Sequence, residues 1–425
     1  MGLRAPIAVS LVGKAAEAVT LVLLSTVVPR TLGPTDYGRF AVALTAVAIG
    51  AVALTLGGAT TLARYVPAAP VPQRAALARD LTLRLARNRV RVLAGLAAVA
   101  GAAVALDPAR FDPVHTVLVL AALALNVATT LVLQAGLGLG RATAWSLRYP
   151  LQNAVLIVSV LLLYRVHQVT GAVVSVVVAA LAATGLGLVA AAPLRRADSV
   201  PVPLPDGALR FGLLQAVGGA LMQVIQRGAV LVVAWQTGAG PQAGYAALAI
   251  GVALALTYAV AQVFTVSLPT LTTREPAEAE ALLRRLTGMV LAFAGPAMLL
   301  AVLLRDLGLP LAFGADYAGS AAAFGPAFAL VVLAPAGALT VQAAALRLRP
   351  EVLFKAGLAG AVTFVLAAVT AVPHWGAAGG TFAALAGTVV ATAVQIRLVP
   401  GAVGARLTAA TFGGAALVAG MGVLG

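Results

Sequence analysis

The sequence predicts an all-α polytopic membrane protein. It would consist of two six-helix bundles related by a pseudo-two-fold axis along the membrane normal, followed by a further apolar run. Three observations support this prediction: long apolar runs, basic residues placed mostly in alternate gaps between them, and landmarks repeated at a nearly constant offset. Of the 425 residues, 61% are hydrophobic and 10% are charged, and the mean hydropathy is +1.03. This composition leaves no room for a large soluble domain.

Apolar runs occupy most of the chain. A helix that crosses the hydrocarbon core of a bilayer needs about 20 predominantly apolar residues. Twelve runs approach that length, and a weaker thirteenth run at 408–424 leaves open whether it spans the membrane or lies on its surface. The twelve runs are 7–28, 40–63, 90–106, 114–139, 150–164, 169–192, 211–235, 244–269, 286–304, 319–345, 352–372 and 376–396.

The basic residues predict the orientation of the chain. There are 28 Lys and Arg against 13 Asp and Glu, which gives a net charge of +15. Most of the basic residues lie at the N-terminus and in the gaps after even-numbered runs. Because basic loops resist translocation, the N-terminus and these gaps are predicted to be cytoplasmic. The basic residues of the opposite gaps are interpreted as outer-surface anchors, namely Arg30, Arg39, Arg110, Arg165 and Arg305.

The same features argue against several other classes of protein. The basic residues flank apolar runs and form no stripe on a polar domain, so we expect contacts with membrane lipids and not with nucleic acid. The chain has no Cys and three His in distant segments, so neither a disulfide nor a metal site or cofactor is predicted. The run at 7–28 is too long for a signal-peptide core and is interpreted as a retained first span.

The two halves of the chain repeat the same landmarks. Gly38 and Gly244 each follow a Gly-Pro turn and differ by 206 positions, while His167 and His374 differ by 207. Prolines that open two inner gaps show an offset of 204. Because each copy contains six spans, both copies begin on the same side of the membrane, which is typical of a parallel repeat.

The repeat suggests the domain boundaries. We predict an N-terminal bundle at 1–192, a proline-rich cytoplasmic linker at 193–210, a C-terminal bundle at 211–397 and an additional helix at 398–425.

Two inner gaps are long enough to form helices of their own. Residues 72–91 place Leu77 and Leu81 on one face, which predicts an amphipathic helix in the headgroup layer. Residues 273–286 offer Thr273 as a cap and place acidic residues first and basic residues last, as the helix dipole favours.

Several motifs resemble a known family. The segment at 27–44 contains Leu-Gly-Pro-x-x-Tyr-Gly-x-Phe between two apolar runs. Further motifs are Gly-x-Gly-x-Gly-Arg at 136–141, Arg-Phe-Gly at 210–212, Phe-Gly-Ala-Asp-Tyr-Ala at 313–318 and Trp-Gly-Ala-Ala-Gly at 375–379. In this order, over about 7–396, the chain resembles the oligosaccharide flippases of the multidrug/oligosaccharidyl-lipid/polysaccharide exporter superfamily. The acidic residue that is frequent in their seventh span is replaced here by Gln226 and Arg227.

The resemblance implies a transporter and not an enzyme. Such a protein flips a polyprenyl-diphosphate-linked oligosaccharide from the inner to the outer leaflet by alternating access, for cell-surface polysaccharide synthesis. Its partners would be this lipid with its anionic diphosphate headgroup and, functionally, glycosyltransferases or a polymerase. The location would be the bacterial cell membrane, and the excess of Arg over Lys, with abundant Ala and Gly, suggests a GC-rich bacterial genome.

Two charged residues lie inside the first run. Ser10, Lys14 and Glu17 share one face of a helix. A charge at mid-depth costs about 3 kcal/mol, so such residues usually face a cavity or each other. One interpretation is a Lys14–Glu17 pair that packs the bundle. In the other, Lys14 attracts a diphosphate and Glu17 acts as a proton- or cation-responsive switch.

The seventh run contains a polar stripe formed by Gln215, Gln223, Gln226 and Arg227. Arg227 has no acidic residue three or four positions away, so a local ion pair does not explain it. Since a guanidinium suits bidentate binding of phosphate, Arg227 is the main predicted contact of the substrate headgroup. The alternative is an arginine that snorkels outward or bonds to backbone carbonyls.

Weaker candidates lie elsewhere. Arg64 and Arg141 are candidates to line the inner mouth and attract an anionic headgroup, although residues at run ends more commonly anchor to headgroups. The arginines at run ends are Arg30, Arg64, Arg141 and Arg148. Tyr258 and Gln262, four residues apart in the eighth run, are candidates to bind sugar hydroxyls, with helix–helix hydrogen bonding as the alternative.

The sequence also bears on four alternative functions. A multidrug or cation-coupled extrusion transporter of the same superfamily would use acidic residues, whereas Lys14, Arg227 and Glu17 together are net positive, which favours an anionic substrate. An integral-membrane glycosyltransferase or polysaccharide polymerase would need a sizeable outer loop, and the longest outer gap extends only from Arg305 to about 319. The gap after the second run lacks the Gly-x-x-x-Asp-Arg pattern of major-facilitator transporters. Buried polar stripes argue against a scaffold that transports nothing.

Overall fold

The computed structural model describes residues 4–55, 61–62, 65–67, 69–196, 207–272, 276–347, 349–401 and 403–424. Within these ranges the chain is almost entirely helical and contains no β-strand. The helices are α1 (Arg4–Thr55), α2 (Arg74–Leu106), α3 (Pro113–Gly138), α4 (Ala142–Ala190), α5 (Ala192–Arg196), α6 (Ala208–Thr237), α7 (Pro241–Thr272), α8 (Pro276–Leu303), α9 (Arg305–Phe313), α10 (Ala321–Leu346), α11 (Glu351–Leu398) and α12 (Ala405–Leu424).

The predicted all-α polytopic class is confirmed. In the described part of the chain, nine helices are long and apolar enough to cross a membrane. Three of them, α1, α4 and α11, bend at residues with non-helical backbone angles. Each bend separates two predicted runs, so these helices accommodate the twelve runs of a multi-pass membrane protein. The thirteenth run forms α12, which packs against α8 and α10.

The bends fall at three of the predicted outer turns. In α1, Gly33 has φ 69° and ψ 168°, a conformation that glycine adopts without steric cost. The next residue, Pro34, has no N–H to continue the helical ladder. In α11 the bend lies at Gly376, with φ 51°. In α4 it lies at Gln168, whose φ of 50° is the only positive value of a non-glycine residue in the described ranges.

The bends in α4 and α11 are followed by the same close packing. A side chain at Gly171 would collide with the carbonyl oxygen of Leu163, and a side chain at Gly379 would collide with that of Ala371. In both corners the glycine lies eight residues beyond the carbonyl that it touches. This shared geometry at corresponding positions of the two halves supports the internal repeat.

The chain divides into two compact units. The first unit comprises Met1–Leu24 and Ala43–Ala220, and the second comprises Ser25–Val42 and Leu221–Gly425. The second unit therefore includes a segment from the middle of α1. The predicted domain boundaries follow the repeat and stay predictions, and more than half of the predicted linker lies outside the described residues.

Within the second unit, the two glycines of the repeated motif pack against each other's turns. A side chain at Gly38 would collide with the carbonyl oxygen of Gly240, and its Cβ would lie 2.9 Å from the backbone nitrogen of Gly244. A side chain at Gly244 would collide with the carbonyl oxygen of Pro34. Only a residue without a Cβ allows backbones to approach this closely. The glycine common to both motifs therefore has a packing role.

Aromatic side chains surround this glycine contact. The ring centroid of Tyr317 lies 6.5 Å from that of Tyr37 and 6.2 Å from that of Tyr245, both in edge-on orientation. The Tyr317 hydroxyl donates to the carbonyl oxygen of Pro29 at 2.9 Å, and the Tyr245 hydroxyl donates to that of Asp316 at 3.1 Å. Buried tyrosines need such partners. These contacts attach the α1 segment to the residues that precede α10.

The first inner helix differs from its prediction. Residues 74–91 are continuous with the third run as α2, because no glycine or proline interrupts the helix there. The apolar face of its first turns does not cover a headgroup layer. Instead, Leu77 and Leu81 are buried in a core cluster. Other members of that cluster are Leu62, Val66, Leu131, Ala135 and Leu194.

The second inner helix is likewise the beginning of a longer one, α8, and Thr273 lies outside the described residues. Two of its charged residues, Glu280 and Arg284, have protein partners. Arg347 donates to the Glu280 carboxylate, and Arg284 donates to the carbonyl oxygen of Gly401 at 2.9 Å.

The glycine contact predicts a difference between two matched substitutions. We expect Gly38→Ala to lower the free energy of unfolding by about 1–3 kcal/mol, because the added methyl group displaces the backbone of Gly240. Gly95→Ala is the control, since a Cβ there meets nothing within 4 Å, and alanine favours a helix by about 0.5–1 kcal/mol. The measurement is the thermal unfolding of each purified variant in detergent. Equal midpoints for the two variants would contradict the packing role of Gly38.

Candidate functional site

The second unit contains an open cavity, and its empty volume of about 970 Å³ includes space that is open to the surroundings. Four helices, α6, α7, α10 and α11, contribute its lining. Most of the lining side chains are aliphatic, among them Met222, Leu254, Leu330 and Leu333. The cavity is therefore suited to an occupant with an apolar part.

The polar groups of the cavity are all uncharged. They are the side chains of Gln226, Thr257, Gln342, Thr388, Thr392 and Gln395. Gln395 is held in place because Thr340 donates a hydrogen bond to its Oε1 at 2.8 Å. No Asp, Glu, Lys or Arg belongs to the described lining. Amide and hydroxyl groups of this kind bind neutral hydrogen-bonding groups and offer no counter-ion to an organic cation.

The polar stripe predicted on the seventh run divides into two parts. Gln226 faces the cavity, whereas Gln223 accepts a hydrogen bond from Nε of Arg227 at 2.9 Å. Arg227 therefore has a local amide partner four residues earlier on the same helix. Gln215 lies further toward the start of α6, half-buried and within the first unit.

Glu17 is buried in the first unit, with 6% of its surface exposed. It lies between two contacts of α1 with α4. A Cβ at Gly13 would lie 2.9 Å from the Cβ of Ser146, and the amide of Asn153 donates to the Thr20 hydroxyl at 3.3 Å. Glu17 thus faces the protein interior. The side chain of Lys14 lies outside the described residues, so both interpretations of these two residues stay open.

The remaining candidates are not brought together. Arg64 and the side chain of Gln262 lie outside the described residues. Arg141 is exposed at the residue before α4. Tyr258 is half-buried on α7 but does not belong to the described lining of the cavity. The roles predicted for these residues stay predictions.

Arg148 differs from its prediction as a headgroup anchor. Only 3% of its surface is exposed. One terminal guanidinium nitrogen lies 3.4 Å from Oδ1 of Asn126 and 3.5 Å from its carbonyl oxygen. The guanidinium carbon also lies 5.0 Å from the ring centroid of Tyr149. A sequence signal for this contact exists, since Asn126 is a polar amide in the middle of an apolar run.

Two other buried arginines bond to helix ends. Arg89 donates to the carbonyl oxygens of Leu54 and Thr55, the last residues of α1. Arg305, which was predicted to anchor at the outer surface, is instead buried and donates to the carbonyl oxygen of Gly422 in α12 at 2.7 Å. Cations at helix C-termini satisfy unpaired carbonyls and complement the helix dipole.

This architecture is similar to that of solved transporters. The lipid II flippase MurJ in an inward-closed conformation aligns with a TM-score of 0.68 and 10% identity, over 92% of this chain and 87% of that chain. A mutant of the Vibrio cholerae MATE transporter VcmN aligns with a TM-score of 0.61 and 14% identity, over 92% and 93%. An inward-facing multidrug resistance MATE transporter of the MOP superfamily aligns with a TM-score of 0.58 and 15% identity, over 92% and 95%.

No protein-family model matches the sequence, and no curated protein matches it either. At these low identities the likeness concerns the fold. The chain therefore shares its fold with these transporters, as the resemblance implied.

From the lining of the cavity we predict which side chains of α6 are accessible to a reagent dissolved in water. Because the chain has no Cys, a single introduced cysteine is labelled without background. We expect Gln226→Cys to react with a maleimide in native membranes, since Gln226 lines the open cavity. Ile225→Cys, at the adjacent and fully buried position (0% exposed), is expected to react at least tenfold more slowly. Equal labelling rates at the two positions would contradict the orientation of α6 in which residue 226 faces the cavity and residue 225 is buried.

Proposed function

We propose that this protein flips a polyprenyl-diphosphate-linked oligosaccharide from the inner to the outer leaflet of a bacterial cell membrane by alternating access. The substrate joins a long apolar chain, an anionic diphosphate and an uncharged glycan. The chemistry of the second unit fits each of these parts. The direction of transport is the one that the resemblance to oligosaccharide flippases implies.

Arg227 is the observation on which the proposal chiefly rests. It is a basic residue in a helix long and apolar enough to span a membrane, and Gln223 orients its guanidinium. A charge at such a position is costly and is usually kept for a ligand or a partner. The planar guanidinium matches the geometry of phosphate oxygens and remains charged at all physiological pH values. A diphosphate in the low-dielectric interior would be strongly attracted to it.

The uncharged cavity supports the same assignment. Its aliphatic lining accommodates the apolar part of an amphiphile, and its amide and hydroxyl groups suit the hydroxyl groups of a neutral sugar. Gln226 lines this cavity next to Arg227 on the same helix. In this arrangement Arg227 would contact the phosphate of the headgroup, and Gln226 would contact the groups beside that phosphate.

The second candidate is a multidrug extrusion transporter, which the likeness to MATE transporters favours. An organic cation would gain stability from a buried carboxylate. The described lining of the cavity offers none, and Arg227 would repel a cation. The charge of the second unit therefore favours the anionic amphiphile. A glycosyltransferase or polymerase activity has no support from the described side chains.

Removing the charge of Arg227 is expected to abolish transport. We predict that Arg227→Ala lowers the rate at least a hundredfold, since a charged hydrogen bond to phosphate contributes about 1.5–3 kcal/mol and the apolar surroundings strengthen it. Arg227→Lys keeps the charge without the bidentate geometry and is expected to retain part of the rate. The measurement is the amount of lipid-linked oligosaccharide left on the inner leaflet of cells that carry each variant as their only copy.

Arg397→Ala is the matched control, because it removes an exposed arginine from the same unit. It is expected to leave the lipid on the outer leaflet, as the unaltered protein does. If the Arg227→Ala cells also show no accumulation on the inner leaflet, Arg227 does not bind the headgroup. If cells without the protein show none, the flippase proposal itself is wrong.

Glu17 provides a separate prediction about coupling. If the buried carboxyl group acts as a proton-responsive switch, Glu17→Gln removes the pH dependence of transport, because the amide cannot titrate. Glu278→Gln, at an exposed position of α8, is the control and is expected to keep the pH profile. The measurement is the transport rate in vesicles against external pH. An unchanged profile in Glu17→Gln would favour the structural pair with Lys14.

A further inference from the structure

Arg148 is a buried cation at an unusual depth in the first unit. Asn126, which it contacts, lies near the midpoint of α3, about 18 Å along the helix axis from its last residue. Arg148 itself is only about 9 Å from the first residue of α4. An arginine that anchors to headgroups would extend back toward that near end. Instead, the side chain extends toward the middle of the neighbouring helix.

The amide of Asn126 is held so that its oxygen faces Arg148. Its Nδ2 donates to the carbonyl oxygen of Ala122 at 2.9 Å. Its Oδ1 receives the Gln152 amide at 3.1 Å and the more distant Arg148 guanidinium at 3.4 Å. One neutral oxygen is thus shared between two donors, and one of these donors is a cation.

The cluster is not satisfied by its protein neighbours. Among the described residues, Nε of Arg148 and Oε1 of Gln152 have no hydrogen-bond partner although both atoms are buried. Arg148 forms no ion pair with any described carboxylate. The buried Glu17 belongs to α1, which contacts α4 at Ser146 and Asn153, on a different face from Arg148. A buried cation without an anion is strongly destabilising, so an external anion would complete the site.

Two aromatic rings cover the cation. The guanidinium carbon lies 5.0 Å from the ring centroid of Tyr149 and 5.9 Å from that of Trp145. Cation–π contacts of this kind replace part of the lost hydration. Tyr149 is 38% exposed, so rotation of its ring would open a path to Arg148 without moving a helix.

We propose that Arg148, Asn126 and Gln152 form a phosphate-binding site in the first unit, and that its ligand is the diphosphate group of a prenyl lipid. The proposal rests on the proposed function, since it assigns this site to the headgroup of the same substrate. The guanidinium supplies charge and paired donors. The Gln152 amide supplies a further donor once the phosphate replaces its bond to Asn126. Tyr149 and Trp145 cover the site when it is empty.

A binding experiment with the full-length protein in nanodiscs tests the site. Trp235→Phe and Trp375→Phe leave Trp145 as the only indole, so its fluorescence reports on events beside Arg148. The probes are geranylgeranyl diphosphate, geranylgeraniol and inorganic diphosphate. We expect geranylgeranyl diphosphate to change the Trp145 signal, and Arg148→Gln to weaken its binding at least tenfold. Geranylgeraniol, which has no phosphate, is expected to give no change that depends on Arg148.

Controls separate binding from folding. Arg165→Gln removes an exposed arginine from the same helix and is expected to bind as the unaltered protein does. If Arg148→Gln fails to fold, Arg148→Lys keeps the charge and is expected to bind several-fold more weakly, with an unchanged unfolding midpoint. Unchanged affinity in a folded Arg148 variant, or equal binding of the alcohol, would overturn the site.

Three further outcomes show separately whether the lipid assignment, the binding site or the proposed function is wrong. If inorganic diphosphate binds as tightly as the prenyl form, the assignment to a lipid is wrong. If cells depend on Arg227 for flipping while Arg148→Gln binds normally, this site is refuted and the proposed function stands. If the unaltered protein binds no prenyl diphosphate and cells without it accumulate no lipid on the inner leaflet, both fail.

Discussion

Polar groups inside a membrane must find their partners within the protein, and this requirement accounts for most of the specific contacts in the structure. It explains why the described chain is helical almost throughout. It also explains why Tyr317 bonds to a carbonyl beside the bend of α1, and why Arg89 and Arg305 bond to carbonyls at helix ends. Where the requirement is met only partly, at Arg148, we infer a ligand.

The repeated glycines show how the fold brings a functional helix into place. Gly38 and Gly244 allow the beginnings of two spans to touch at the backbone, and the tyrosines around them attach the α1 segment to the second unit. Tyr37 lies next to Gly38 and packs edge-on against Tyr317. The glycine contact and the aromatic contacts thus hold the α1 segment together.

Much of the fold is predictable from the sequence because apolar run length and basic gaps are physical signatures of spanning helices. The repeat was also detectable, since the corners at Gly171 and Gly379 require glycine at corresponding positions. The site was less predictable. The sequence shows a polar stripe on α6, but helical periodicity cannot tell that Gln226 faces a cavity while Gln223 bonds to Arg227. Arg148 was misassigned because position near a run end says nothing about the direction of a long side chain.

The central claim is that the protein moves a lipid-linked oligosaccharide across a bilayer, and reconstitution tests it most directly. Purified protein would be incorporated into liposomes that contain a lipid-linked oligosaccharide with a fluorescent glycan, and a membrane-impermeant glycosidase would be added outside. Our account predicts that the glycan of the inner leaflet becomes accessible to the enzyme in these liposomes and stays protected in liposomes without protein. Continued protection of that glycan, together with transport of an organic cation by the same preparation, would contradict it.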